Sequence, residues 1–138
     1  MITVTIIVFG GNMTKRSLQR ELIRENLIGR YDHPTADMVY QSIRQQLPTI
    51  SLGTVYRNLR FLVEQGEAIS LKLGDGREHF DGHIEPHYHF ICNECSSIED
   101  IFMKDFSICN EAKKHCNGEI LGHCTYFYGL CNKCKLKH

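Results

Sequence analysis

The chain has 138 residues, 42% of them hydrophobic, with 16 basic and 16 acidic side chains and a formal net charge of zero. That length holds one domain or two very small ones, and the apolar fraction allows a modest core. It excludes a membrane span: the apolar run at 2–9 is too short to cross a bilayer, and it lacks the basic flank and small-residue cleavage site of a signal peptide.

The zero total conceals an asymmetry. Residues 13–72 carry nine Lys/Arg against six Asp/Glu, whereas the chain from 73 onwards carries seven against ten. A basic front half beside an acidic, ligand-rich rear half suits a nucleic-acid module joined to a cation-binding one. Seven cysteines could indicate a disulfide framework. The odd count and two C-x-x-C pairs argue for metal-binding or otherwise reduced thiols, and so for a cytoplasmic protein.

Residues 1–12 form an atypical apolar leader, either an extra strand or a segment foreign to a natural start at Met13. From Thr14 the spacing predicts a helix, with Leu18, Leu22, Ile23 and Leu27 on one face and Lys15, Arg16, Arg20 and Arg24 on a solvated one. A second helix begins after Thr35 as N-cap. It buries Ala36, Val39, Tyr40, Ile43 and Leu47 and stops at Pro48. A third, capped by Ser51, runs to Gly66 with Leu52, Val55, Leu59, Leu62 and Val63 inward.

That leaves Thr54, Tyr56, Arg57, Asn58 and Arg60 facing solvent. Such side chains early in an exposed helix read base edges and grip phosphates, although they also occur on ordinary surfaces. Ser51, Thr54, Tyr56, Arg57 and Asn58 are the candidate DNA-contacting residues. A strand at 68–73, the turn Gly74-Asp75-Gly76 and a strand at 78–81 complete a hairpin. Three helices and a hairpin make a winged helix-turn-helix, whose third helix enters the major groove.

The richest stretch is 79–95, which holds Asp81, His83, His87, His89, Cys92 and Cys95. Cys92-x-x-Cys95 pairs naturally with Cys131-x-x-Cys134 in a tetrahedral thiolate site; redox-active pairs or buried thiols are the alternatives. Asp81, His87 and His89 offer nitrogen and oxygen ligands that suit iron or manganese as well as zinc, or else form a polar hairpin surface. Strands at 89–92 and 97–101, a helix at 105–116 with Cys109 and Cys116 as core residues, and a β-rich run at 120–130 predict a small α/β unit. The fold class is therefore α+β: a winged-helix DNA-binding domain at 13–82 followed by a metal-binding dimerisation domain at 83–138.

With these motifs the chain resembles the ferric uptake regulator family of bacterial metal-dependent repressors. The carriers are His33-Pro34-Thr35-Ala36-Asp37, Gly53-Thr54-Val55-Tyr56-Arg57-Asn58-Leu59, Phe80-Asp81, His87-Tyr88-His89-Phe90-Ile91-Cys92, Ile98-Glu99-Asp100 and Tyr128-Gly129-x-Cys131-x-x-Cys134. Asp81 and Asp100, where iron-uptake members often have glutamates, make it most similar to the peroxide-sensing branch. The resemblance implies structural Zn2+ on Cys92, Cys95, Cys131 and Cys134. It implies regulatory Fe2+ or Mn2+ on His33, Asp81, His87, His89 and Asp100, with His33 and His87 open to oxidation. It implies a homodimer on double-stranded operator DNA, with no membrane partner. A further family site is not expected, because Ser107 and Tyr88 replace its acidic ligands although His123 matches.

Three other readings remain in play at this level. One is an iron- or zinc-uptake repressor of the same family. Another is a small non-haem iron enzyme, since histidines and a carboxylate can form a catalytic facial site, although the recognition helix argues for a regulator and against an enzyme. The third is a thiol-disulfide redox protein.

Overall fold

The computed structural model describes residues 14–104 and 107–138, so the leader at 1–12 and the expected start of the rear helix lie outside the described residues. Helix α1 (Lys15–Ile28) begins at Thr14, whose side chain accepts the Ser17 backbone N–H at 3.1 Å. Helix α2 (Ala36–Ile43) begins at Thr35, which accepts from Met38, with Asp37 near the positive end of the helix dipole. Helix α3 (Leu52–Glu64) begins at Ser51, which accepts the Thr54 N–H at 3.1 Å. The caps expected at Thr35 and Ser51 are in place, and Thr14 caps α1 in the same way.

Ile23 and Leu27 from α1, Val39 and Ile43 from α2, and Val55, Leu59 and Leu62 from α3 form one core with Ile50 and Ala68. Helix α2 is shorter than its hydrophobic spacing predicts. It ends at Ile43, yet Leu47 still packs on the same core from the turn that follows. Strands β1 (Ile69–Lys72) and β2 (Glu78–Asp81) pair antiparallel, and their turn places Gly74 and Gly76 at φ of +86° and +76°, where a Cβ is disfavoured. Phe80, fully buried, anchors β2 to the three helices.

The rear sheet has the order β4-β3-β5, with β3 (Tyr88–Cys92) antiparallel to β4 (Ile98–Ile101) and parallel to β5 (Tyr126–Gly129). A parallel pair needs a crossover, and residues 102–125 supply it. The two halves share apolar packing: Leu71 and Leu73 at the end of the hairpin's first arm meet Ile91 of β3, flanked by Ile69 and Ile98.

Two expectations are corrected here. Helix α4 spans only Ile108–Lys113 and buries none of its residues; Cys116 is exposed and Cys109 half-buried, so neither is a core residue. Its apolar residue Ile108 is left 48% exposed. The β-rich run is regular only over β5, which leaves Leu121 exposed. The last element, α5 (Asn132–Lys135), is a single turn beginning at Cys131.

Candidate metal centres

The nitrogen and oxygen ligands reach one point from four places in the fold. His33 lies in the loop between α1 and α2, and Asp81 is the last residue of β2. His89 and Asp100 are cross-strand partners, because β3 and β4 pair in the register His89↔Asp100. Ligating atoms of His33, Asp81, His89 and Asp100 all lie within 4.8 Å of one another. His87, just before β3, joins them: its Nε2 is 2.9 Å from Asp81 Oδ2, 3.3 Å from Asp100 Oδ1 and 3.0 Å from His89 Nε2. All five sequence-proposed ligands thus converge.

The charge balance in this cluster calls for a cation. His33, His87 and His89 all aim Nε2 at Asp81 Oδ2, at 3.5, 2.9 and 3.1 Å. Burial raises the Asp81 pKa, but hydrogen bonds from His33 and His89 and from the His83 backbone N–H outweigh it, so the group stays ionised well below the usual carboxylate range. Burial lowers the His33 pKa, and hydrogen bonding to Asp81 and Asp100 outweighs this in the opposite direction. A buried carboxylate, Asp81, and a half-buried one, Asp100, ringed by imidazole nitrogens fit a divalent cation with hard or borderline ligands, such as Fe(II), Mn(II) or Zn(II). No thiol belongs to this cluster.

The second centre is all sulfur. Cys92 ends β3, Cys95 lies in the turn beyond it, Cys131 precedes α5 and Cys134 lies within it. The β3–β5 register Cys92↔Gly129 and the hydrogen bond from Asn93 N to Gly129 O, 2.7 Å, bring the two C-x-x-C segments together. All four Sγ atoms lie within 4.8 Å of one another, and Cys95 Sγ is 3.8 Å from Cys131 Sγ. A tetrahedron with Zn–S bonds of about 2.3 Å has edges of about 3.8 Å, the separation of Cys95 and Cys131, so four thiols gathered this closely suit zinc. Backbone N–H groups, chiefly those of Cys95 and Cys131, bring the Cys92 thiol down to about 6, whereas burial pushes Cys134 up. All four would bind as thiolates.

The face expected to meet DNA is only partly as predicted. Ser51, Tyr56 and Arg57 are exposed and Thr54 half-buried. Asn58 is not solvent-facing: it is 7% exposed, donates to Thr54 O at 2.9 Å and accepts from Arg20 Nε at 3.3 Å. The helical turn carries position 58 onto the side of α3 that faces α1. Sequence reasoning also missed Glu78. It accepts from Tyr56 Oη and Arg60 Nη1, both at 3.0 Å, and from Ser70, so the recognition helix is tied to the wing. Arg16 and Arg20, read as a solvated face, border the same groove as Thr54 and Arg57. No local pattern could have shown that, because α1 and α3 meet only in the fold.

A winged helix joined to a sheet that carries one all-sulfur and one nitrogen–oxygen metal centre defines a metal-responsive DNA-binding regulator. The profile of the Ferric uptake regulator family matches residues 12–128, and the chain belongs to that family. It is 35% identical over 118 residues to the peroxide-responsive repressor PerR of Staphylococcus epidermidis, covering 85% of this chain and 79% of that protein. It is 34% identical over 120 residues to PerR of Staphylococcus aureus, covering 86% and 81%. Among solved structures it is similar to the Campylobacter jejuni peroxide stress regulator, with a TM-score of 0.74, 31% identity and coverage of 87% of this chain and 91% of that one. It is also similar to the Helicobacter pylori ferric uptake regulator Fur, described as having three functional metal binding sites, with a TM-score of 0.73, 25% identity and coverage of 86% and 81%.

Proposed function

We propose that the chain is a homodimeric, metal-dependent transcriptional repressor of the cytoplasm that binds double-stranded operator DNA and senses peroxide. The observation that carries this is the thiol-free cluster of His33, Asp81, His87, His89 and Asp100, whose ligands come from both halves of the molecule. The peroxide-responsive names of its relatives favour this branch. The halves divide near Gly82 into a DNA-binding domain at 13–82 and a metal-binding dimerisation domain at 83–138. Cys92, Cys95, Cys131 and Cys134 hold structural zinc, and the nitrogen–oxygen cluster holds Fe(II) or Mn(II).

His33, from the front half, and His89 and Asp100, from the rear, would be drawn onto one ion. That fixes the angle between the halves, and in a dimer the angle sets the spacing of the two α3 helices. When bound, Fe(II) supplies the reduction of peroxide that Mn(II) does not readily supply. His33 and His87 are the side chains that take up oxygen, and an oxidised imidazole is a poor ligand, so the tie between the halves is lost. Ser51, Thr54, Tyr56 and Arg57 meet the DNA, while Asn58 supports them from behind. Tyr126, Phe127, Tyr128 and Leu130 leave an exposed apolar patch along the outer strand β5, which favours a second copy of the chain as partner. Among the described residues no helix is long and apolar enough to cross a membrane.

The test is operator binding by chain loaded with Fe(II), Mn(II) or Zn(II), with and without peroxide. Release of the Fe(II) form alone supports peroxide sensing. Insensitivity of all three forms supports an iron- or zinc-uptake repressor instead.

A further inference from the structure

His33 is the one proposed ligand with a strained backbone. Its φ is +51°, in the left-handed region that residues with a Cβ rarely adopt, and Pro34 follows it. A metal-ligating histidine is usually aimed by a hydrogen bond at its second ring nitrogen. His87 follows that rule, donating from Nδ1 to Glu85 O at 2.6 Å. His33 does not: its Nδ1 is buried and has no hydrogen-bond partner among the described residues. What aims the His33 ring is therefore its own backbone.

That backbone is held by His79. The His79 ring donates from Nδ1 to His33 O at 2.7 Å, and its Nε2 meets Asp75 Oδ2, also at 2.7 Å. Asp75 sits in the glycine turn of the wing and accepts the Arg77 N–H at 2.9 Å. Two backbone contacts flank this bracket: a β-bridge between Thr35 and His79, and a hydrogen bond from Phe80 N to Pro34 O at 2.8 Å. His79 is two residues before Asp81 on the same strand, so β2 supplies both a ligand and the support for another.

We propose that His79 is a positioning residue of the nitrogen–oxygen centre. Braced by Asp75 at the wing turn, its imidazole holds the His33 carbonyl and keeps the left-handed turn that delivers the His33 ring to the cluster. The wing and the metal centre are thereby mechanically joined. This inference rests on reading the cluster as a metal centre.

The experiment is Mn(II) titration of the full chain, followed by the electron paramagnetic resonance of free Mn(II), in wild type and in His89→Ala, His79→Leu, His79→Asn and Asp75→Ala. Leucine fills similar space and keeps neither hydrogen bond. Asparagine places a donor where Nδ1 stands and keeps the bond to His33. His79→Leu is expected to bind Mn(II) roughly 10–100-fold more weakly, the range for residues that support metal ligands. His79→Asn and Asp75→Ala each keep a donor to His33 O and lose the brace, so both should stay within a few fold of wild type and bind more tightly than His79→Leu, which keeps the test intact if the leucine variant fails to fold. Hydrogen exchange of the Phe80 amide in the metal-free chain should speed up in His79→Leu and not in His79→Asn. Wild-type affinity in His79→Leu, or equal weakness in His79→Asn and His79→Leu, overturns the proposal. Absence of Mn(II) binding by wild type, or unchanged binding in His89→Ala, instead overturns the metal reading and this inference with it.

Discussion

His33 Nε2 and Asp100 Oδ1 lie 2.7 Å apart although 67 residues separate them in the chain. One belongs to the loop that launches α2, the other to the edge strand β4 of the rear sheet. A ligand that holds both pins the front half to the rear half.

Peroxide should act through that pairing. Treating the Fe(II)-loaded chain with peroxide is expected to abolish operator binding and to add an oxygen atom to peptides containing His33 or His87. The Mn(II) form should keep its DNA and its mass. Mass spectrometry and gel shifts read both. Oxidation confined to cysteines, with loss of zinc and intact histidines, would replace peroxide sensing at the histidines with a thiol-based mechanism.

Zinc should be inseparable from the rear fold. Cys92→Ser and Cys131→Ser are each expected to lose zinc and to destabilise the unit built on β3 and β5, with loss of the dimer. Structural zinc contributes on the order of 10 kcal/mol in small modules, which rivals the stability of a whole domain. Metal analysis and gel filtration check this, and a zinc-free variant that remained a folded dimer would contradict it.

On the DNA face, Tyr56→Ala should weaken operator binding by about 1–3 kcal/mol and blunt base discrimination. Arg57→Ala should weaken all sequences alike and lower the salt slope by about 1, the behaviour of a phosphate contact. Asn58→Ala should act differently. It removes the partner of Arg20 and of the Thr54 carbonyl, so about 1–3 kcal/mol of stability is lost before any DNA is present. Thermal unfolding beside gel shifts separates the two effects.

Glu78 predicts an acid-side pH dependence. Burial raises its pKa, but hydrogen bonds from Ser70, Tyr56 and Arg60 outweigh that and hold it below the usual glutamate value of 4.5. A carboxyl group with a lowered folded-state pKa contributes stability that is complete above its unfolded value and is lost as pH falls through the folded one. Urea unfolding between pH 6 and 3 should therefore show a shallower acid loss in Glu78→Gln than in wild type. Identical slopes would remove Glu78 as a link between α3 and the wing.

The caps Thr35 and Ser51, the glycine turn at 74–76 and both C-x-x-C segments were legible in the sequence, because each is set by interactions within a few residues. Helical spacing likewise identified the core positions Val39, Ile43, Val55, Leu59 and Leu62. His33 and Asp100 were different. Neither residue carries a local signal for metal, and only likeness to a family marked them. Tertiary structure alone decided that Asn58 turns inward to Arg20, that Glu78 joins the wing to α3, and that His79 holds the carbonyl of a residue 46 positions earlier. It also decided that α4, the described part of the rear helix, buries none of its residues. Periodicity reports which side of an element is apolar. Whether another part of the chain arrives to meet that side depends on contacts between distant residues, and those exist only once the chain has folded.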